Sequence, residues 1–180
     1  MNFEQLQKLA LDCGFTHVGR LNVDAIQLKD DVRAMCAANQ CGQYGTNWSC
    51  PPACGSLEAC RERLKDYSEG ILVQTVGEME DSFDYEGMME IEARHKAQFL
   101  ELHDRLLKLC DQVLPLGVGC CTRCKKCTCP DEPCRMPEKH VSSMEAYGML
   151  VMQVCKDSGV GYYYGPDHLA YTSCFLFGKA

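Results

Sequence analysis

Ile71-Leu72-Val73-Gln74-Thr75-Val76 reads as a central β-strand: a short, largely apolar run carrying four β-branched residues. On its N-terminal side, Ser56-Leu57-Glu58-Ala59 opens a helix that runs to Leu64, with the Ser56 hydroxyl placed to cap it. On its C-terminal side lies an acidic stretch, Glu78, Glu80, Asp81, Asp84, Glu86, Glu90 and Glu92, with no base until Arg94. That stretch reads first as a solvated loop and helix start, and second as a docking face for a basic partner. From Met88, the spacing of Ile91, Phe99, Leu102, Leu106, Cys110 and Val113 marks a long amphipathic helix stopped by Pro115.

Further out, Phe3, Leu6, Leu9, Ala10 and Cys13 recur at helical spacing up to Gly14. Phe15 to Leu21 then reads as a strand and Asp30 to Ala37 as a short helix. Toward the C-terminus, Ser142-Ser143-Met144 caps a helix expected to run, with a break at Gly148, to about Lys156. Ala170 to Phe177 reads as a final strand, and Tyr162, Tyr163 and Tyr164 as sheet residues. The expected fold is therefore α/β or α+β, a small sheet flanked by helices, in a single domain over residues 1–180. Two cysteine-rich loops interrupt it, one over residues 36–60 and one over 120–137.

Fifteen cysteines in 180 residues set the chemistry. The count is odd, and the N-terminus Met1-Asn2-Phe3-Glu4-Gln5 has neither the basic nor the apolar segment of a signal peptide. Clustered thiols then point to metal or redox chemistry in a reducing compartment, with a cytoplasmic location expected, and not to a disulfide scaffold. A net charge of −7 with scattered basic residues argues against nucleic acid as a partner, and no run is apolar enough for membrane insertion.

The second block carries the stronger signal. Cys121, Cys124 and Cys127 form a C-x2-C-x2-C run, the spacing that wraps a chain around one [4Fe–4S] cluster. Cys134, followed by Arg-Met-Pro, is the expected fourth ligand, with Cys120 and Cys129 as alternates. Structural zinc competes, but usually takes two C-x2-C knuckles across a spacer, and this block has three evenly spaced cysteines. Arg123, Lys125, Lys126 and Arg135 would offset an anionic centre of either kind.

In the first block the expected ligands are Cys36, Cys41, Cys50 and Cys60, with Cys54 as the alternate fourth. Gly42 and Gly45 let backbone approach a metal, Pro51 and Pro52 stiffen the chain after Cys50, and Tyr44 and Trp48 are placed to shield a cluster from water. Two-cluster ferredoxins share ligands across motifs, so assignment by block is one of two options.

These blocks together resemble the predicted metal-binding protein family, domain of unknown function 2284, found in many anaerobic bacteria and archaea. The resemblance covers most of the chain and is carried by three groups of residues. The first is Cys36, Asn39-Gln40-Cys41-Gly42, Tyr44-Gly45, Trp48 and Cys50-Pro51-Pro52. The second is Cys121, Cys124 and Cys127 with Cys134-Arg135 and Pro137; the third is Ser143-Met144-Glu145-Ala146-Tyr147-Gly148. It implies metal binding through these cysteines. Residues 10–19 are also similar to the opening of some corrinoid-dependent iron–sulfur reductases.

Cys13, Cys110 and Cys155, on apolar helical faces, and Cys174, in a strand, read as buried structural thiols. None of the five histidines stands in a metal-ligand pair; His140, shortly after the second block, is the nearest to a candidate. Catalytic residues are not visible. The expected function is a cytoplasmic iron–sulfur protein with one or two [4Fe–4S] clusters, an electron carrier or accessory more than an enzyme with its own substrate, working with a redox partner protein. The alternatives are a zinc-stabilised interaction module and a cofactor-handling accessory with an open iron site.

Overall fold

The run from Ile71 to Thr75 is buried at every position, so both faces of its strand must be covered. The computed structural model describes residues 1–178 and shows how. In chain order the elements are α1 (Phe3–Asp12), β1 (His17–Arg20), α2 (Asp30–Ala37), α3 (Leu57–Leu64), β2 (Tyr67–Glu78), α4 (Tyr85–Leu106), β3 (Val113–Gly117), β4 (Ser142–Ser143), α5 (Val151–Asp157) and β5 (His168–Gly178). The five strands form one mixed sheet in the order β1-β2-β5-β3-β4, and the architecture is α+β.

The long antiparallel pair β2–β5 forms the spine, running from Tyr67 opposite Gly178 to Glu78 opposite His168. Alternation along these strands divides the core in two. Ile71, Val73, Phe175 and Phe177 face Leu6, Ala10, Phe99, Leu102 and Leu106, the apolar stripes of α1 and α4. Leu72, Cys174 and Leu176 face the other way, onto Cys60, Met144, Tyr147, Met149, Val154 and Cys155. Among the described residues, no helix is long and apolar enough to cross a membrane.

Several boundaries match the sequence reading, including α2, α3 with its Ser56 Oγ cap accepting the Ala59 N–H at 3.1 Å, and the strand at β5. Three do not. The helix expected to reach Val113 ends at Leu106, and Val113 and Pro115 belong to β3. Cys110 and Val113 do pack against the α1/α4 side of the core, so their spacing marked burial correctly and conformation wrongly. Ser142 and Ser143 do not cap a helix but form β4, parallel to β3 with Leu116 opposite Ser142. A 3-10 turn at Glu145–Tyr147 follows, and α5 starts only at Val151. Tyr162, Tyr163 and Tyr164 precede β5 in irregular chain, where the Tyr164 hydroxyl donates to Gln74 Oε1 at 2.6 Å.

Gly148 ends the 3-10 turn in the left-handed region at φ 78°. A Cβ there would lie 2.9 Å from the Lys29 carbonyl, while the Gly148 carbonyl accepts the Lys29 N–H at 2.8 Å. Only glycine suits both demands. This junction fixes the start of α2, and hence the approach to the first cysteine loop, against the segment that follows the second.

Candidate metal centre

The first loop leaves α2 at Ala38 and is folded by its own polar side chains. Asn39 adopts φ 53°, and its Oδ1 accepts the Tyr44 N–H at 3.0 Å. The Gly45 N–H donates to the Pro51 carbonyl at 2.8 Å, closing the middle of the loop. Buried Asn47 then locks the segment before Cys50. Its Oδ1 accepts from the Ser49 N–H at 3.1 Å, the Ser49 hydroxyl at 2.9 Å and the Cys50 N–H at 3.0 Å. An Asx turn of this kind satisfies buried donors without secondary structure.

The second loop is tied to the first by three hydrogen bonds. Ser49 Oγ, bound to Asn47, accepts the Cys121 N–H at 2.9 Å. The Trp48 indole Nε1 donates to Thr128 Oγ1 at 3.3 Å and to the Glu132 carbonyl at 3.2 Å. Within the second loop, Thr128 Oγ1 donates to the Pro133 carbonyl at 2.8 Å and Arg135 to the Lys126 carbonyl at 2.9 Å. The two cysteine blocks, about seventy residues apart in sequence, are thus one structural unit.

Cys121, Cys124, Cys127 and Cys134 line one narrow cavity, whose remaining wall includes Trp48, Ser49, Arg123 and His140. The thiols surround this space without touching: among the described residues, no three His, Cys, Asp or Glu side chains are set closely enough to hold a single metal ion. Cys129 and Cys120 do not line the cavity. Cys120 lies nearer the first loop, where its charge is felt at Cys50.

Of the first-block cysteines, Cys50 and Cys54 are buried, Cys36 is half-buried and Cys41 is exposed. Burial pushes the Cys50 thiol up to about 11 against the Asn47 hydrogen bond, with Cys120, Cys41 and Cys54 adding to the rise. Cys60 is fully buried in the core beside Leu72 and Tyr147, yet near enough to Cys54 for its charge to be felt there. Cys13, Cys155 and Cys174 are buried, as expected of structural thiols. Tyr44 makes its backbone bond within the first loop, while Trp48 reaches the second block and borders its cavity.

Two buried polar atoms at the cavity residues have no hydrogen-bond partner, Arg123 Nε and His140 Nε2. Arg123 is held behind the thiols by Asp104 at 2.8 Å and His103 Nδ1 at 2.9 Å. Burial depresses the His140 pKa, so the neutral ring is favoured. Unpaired buried polar atoms cost free energy unless a partner is supplied. Four soft thiol donors suit a thiophilic metal, and the unpaired Arg123 Nε–H at their wall suits an anionic centre. The sequence reading named His140 only for its place shortly after the second block and treated Arg123 only as charge. The Asn47 lock was legible as an Asn-x-Ser turn and was passed over.

An α+β sheet protein whose two cysteine loops are laced into one unit belongs to the cysteine-rich metal-binding class. The chain is a member of the predicted metal-binding protein family, domain of unknown function 2284, whose family model matches residues 19–177. No curated protein and no solved structure matches it.

Proposed function

We propose that this protein is a cytoplasmic iron–sulfur electron carrier that holds a [4Fe–4S] cluster on Cys121, Cys124, Cys127 and Cys134 and exchanges electrons with a partner protein. The observation that carries this reading is the convergence of those four thiols, and of no other cysteine, on one cavity closed by Trp48. Thiols set around a common space suit a polynuclear centre, whose irons and sulfides occupy that space, better than one ion with bonds of about 2.3 Å. The cluster would supply a one-electron site, while the chain supplies thiolates, the Trp48 shield and a buried donor at Arg123 Nε. The acidic stretch from Glu78 to Glu92, with Phe83 and Tyr85 exposed within it, is a face for a basic partner.

Cys124→Ser should abolish most of the broad absorbance near ~400 nm that such clusters give, with the far-UV circular dichroism of the fold retained. Unchanged absorbance would overturn the assignment. Zinc would instead give a colourless protein that unfolds on chelation. A cleft of about 550 Å³ bordered by Trp48, Cys54, Arg63, Cys134 and His140 adjoins the cavity and favours, as a second reading, an accessory that presents a small molecule to the centre. A shift of the cluster's EPR spectrum on adding a small ligand would separate that from a simple carrier.

A further inference from the structure

Arg123 stands inside the cysteine run, between Cys121 and Cys124, yet its side chain is anchored on α4 and only 9% exposed. Nη1 donates to Asp104 Oδ2 at 2.8 Å, and Nη2 to His103 Nδ1 at 2.9 Å and to the Leu100 carbonyl at 3.5 Å. Nε has no partner and is buried, in a residue that walls the four-thiol cavity. The fold thus fixes the end of the guanidinium and leaves one donor free beside the thiols.

The charges around Arg123 do not cancel. Asp104 also faces Lys139, whose Nζ lies 3.3 Å from Oδ1 in an ion pair without hydrogen-bond geometry. His103 accepts from Arg123 at Nδ1 and is neutral, since burial and the Arg123 charge hold its pKa at about 4. One carboxylate therefore faces two cations. Arg123 lies within the cysteine run and Lys139 beyond Cys134, so Asp104 also ties both ends of the second block to one helix.

We propose that Arg123 raises the reduction potential of the second-block centre through its unpaired Nε–H and its buried charge, and that Asp104 holds the potential back. The inference rests on the reading of a [4Fe–4S] cluster on Cys121, Cys124, Cys127 and Cys134. Reduction adds one electron to such a centre, and with it one negative charge, and breaks no bond in the chain. Hydrogen bonds to the sulfurs and nearby positive charge both favour the more negative state. Arg123 is shielded from salt by its burial, whereas the Lys139 side chain is 39% exposed and counts for less.

Full-length wild type, Arg123→Gln, Arg123→Lys, Lys139→Gln and Asp104→Asn would be isolated without oxygen and their iron and acid-labile sulfide counted. Each would then be titrated with dithionite while the EPR signal of the reduced cluster is followed. Arg123→Gln should lower the midpoint potential, Lys139→Gln should lower it less, and Asp104→Asn should raise it. Arg123→Lys keeps the charge without the Nε–H and should fall between wild type and Arg123→Gln. A merely structural role would move Arg123→Gln and Asp104→Asn alike, because both disturb the same 2.8 Å bond. Equal potentials in wild type and Arg123→Gln, or shifts of one sign in Arg123→Gln and Asp104→Asn, overturn the inference and leave the cluster reading standing. A wild-type potential in Arg123→Lys overturns the part given to Nε–H. If Arg123→Gln holds no cluster, Arg123→Lys and the signs of Lys139→Gln and Asp104→Asn decide in its place. Wild type without sulfide overturns the cluster reading, and this inference with it.

Discussion

His95 lies wholly buried between α4 and the sheet, with Nδ1 2.9 Å from Thr75 Oγ1 and Nε2 2.7 Å from Ser173 Oγ. A neutral ring can give one of these bonds and receive the other, whereas a charged ring would have to be desolvated. Burial, aided by the Lys96 charge, accordingly holds its pKa at about 3, below an ordinary value of 6.5. Its contribution is complete above pH 6.5 and is lost as the pH falls from there toward 3, because the unfolded chain takes up a proton that the folded one refuses. The slope from this one group approaches ~1.4 kcal/mol per pH unit inside that window. Urea unfolding between pH 7.5 and 4.5 should show a steeper loss for wild type than for His95→Gln; parallel curves would contradict the assignment. From the sequence, His95 looked like any histidine on a helix. Its role depends on Thr75 and Ser173, which adjoin it only once β2 and β5 pair.

Trp48 shows what one side chain does for a whole loop. Its indole N–H is the donor that joins the first block to Thr128 and Glu132, and phenylalanine has the aromatic surface without that donor. Trp48→Phe should leave far-UV circular dichroism unchanged while metal is lost to a chelator several-fold faster; an unchanged rate would mean the strap is not what holds the second loop. Ser56→Ala removes the α3 cap and should cost about 1 kcal/mol in denaturant unfolding without changing metal content. Helices were legible where cap and periodicity agreed, as at α3. They were misread where an apolar spacing continued past the helix end, as at Cys110 and Val113, because burial by a strand beyond Leu106 leaves the same pattern. The β4 serines could not be read at all, since their pairing with Leu116 and Gly117 is non-local and two residues long.

At the scale of the molecule, the sheet separates two cores and the cysteine loops are laced together by residues from both blocks. The sequence made a small sheet flanked by helices legible through apolar periodicity, and the C-x2-C-x2-C run through its spacing; the structure sets those three thiols and Cys134 around one cavity. The sequence could not show that Ser49 meets Cys121, that Cys60 faces the core or that His140 borders the cavity, since each depends on contacts between distant segments. The central claim is that these loops hold iron and sulfide. Its most direct test is the count of iron, zinc and acid-labile sulfide per chain in the wild-type protein isolated without oxygen. The account predicts iron and sulfide in equal amounts, about four of each for the second-block centre and about eight if the first block holds a cluster too. Zinc without sulfide would contradict it.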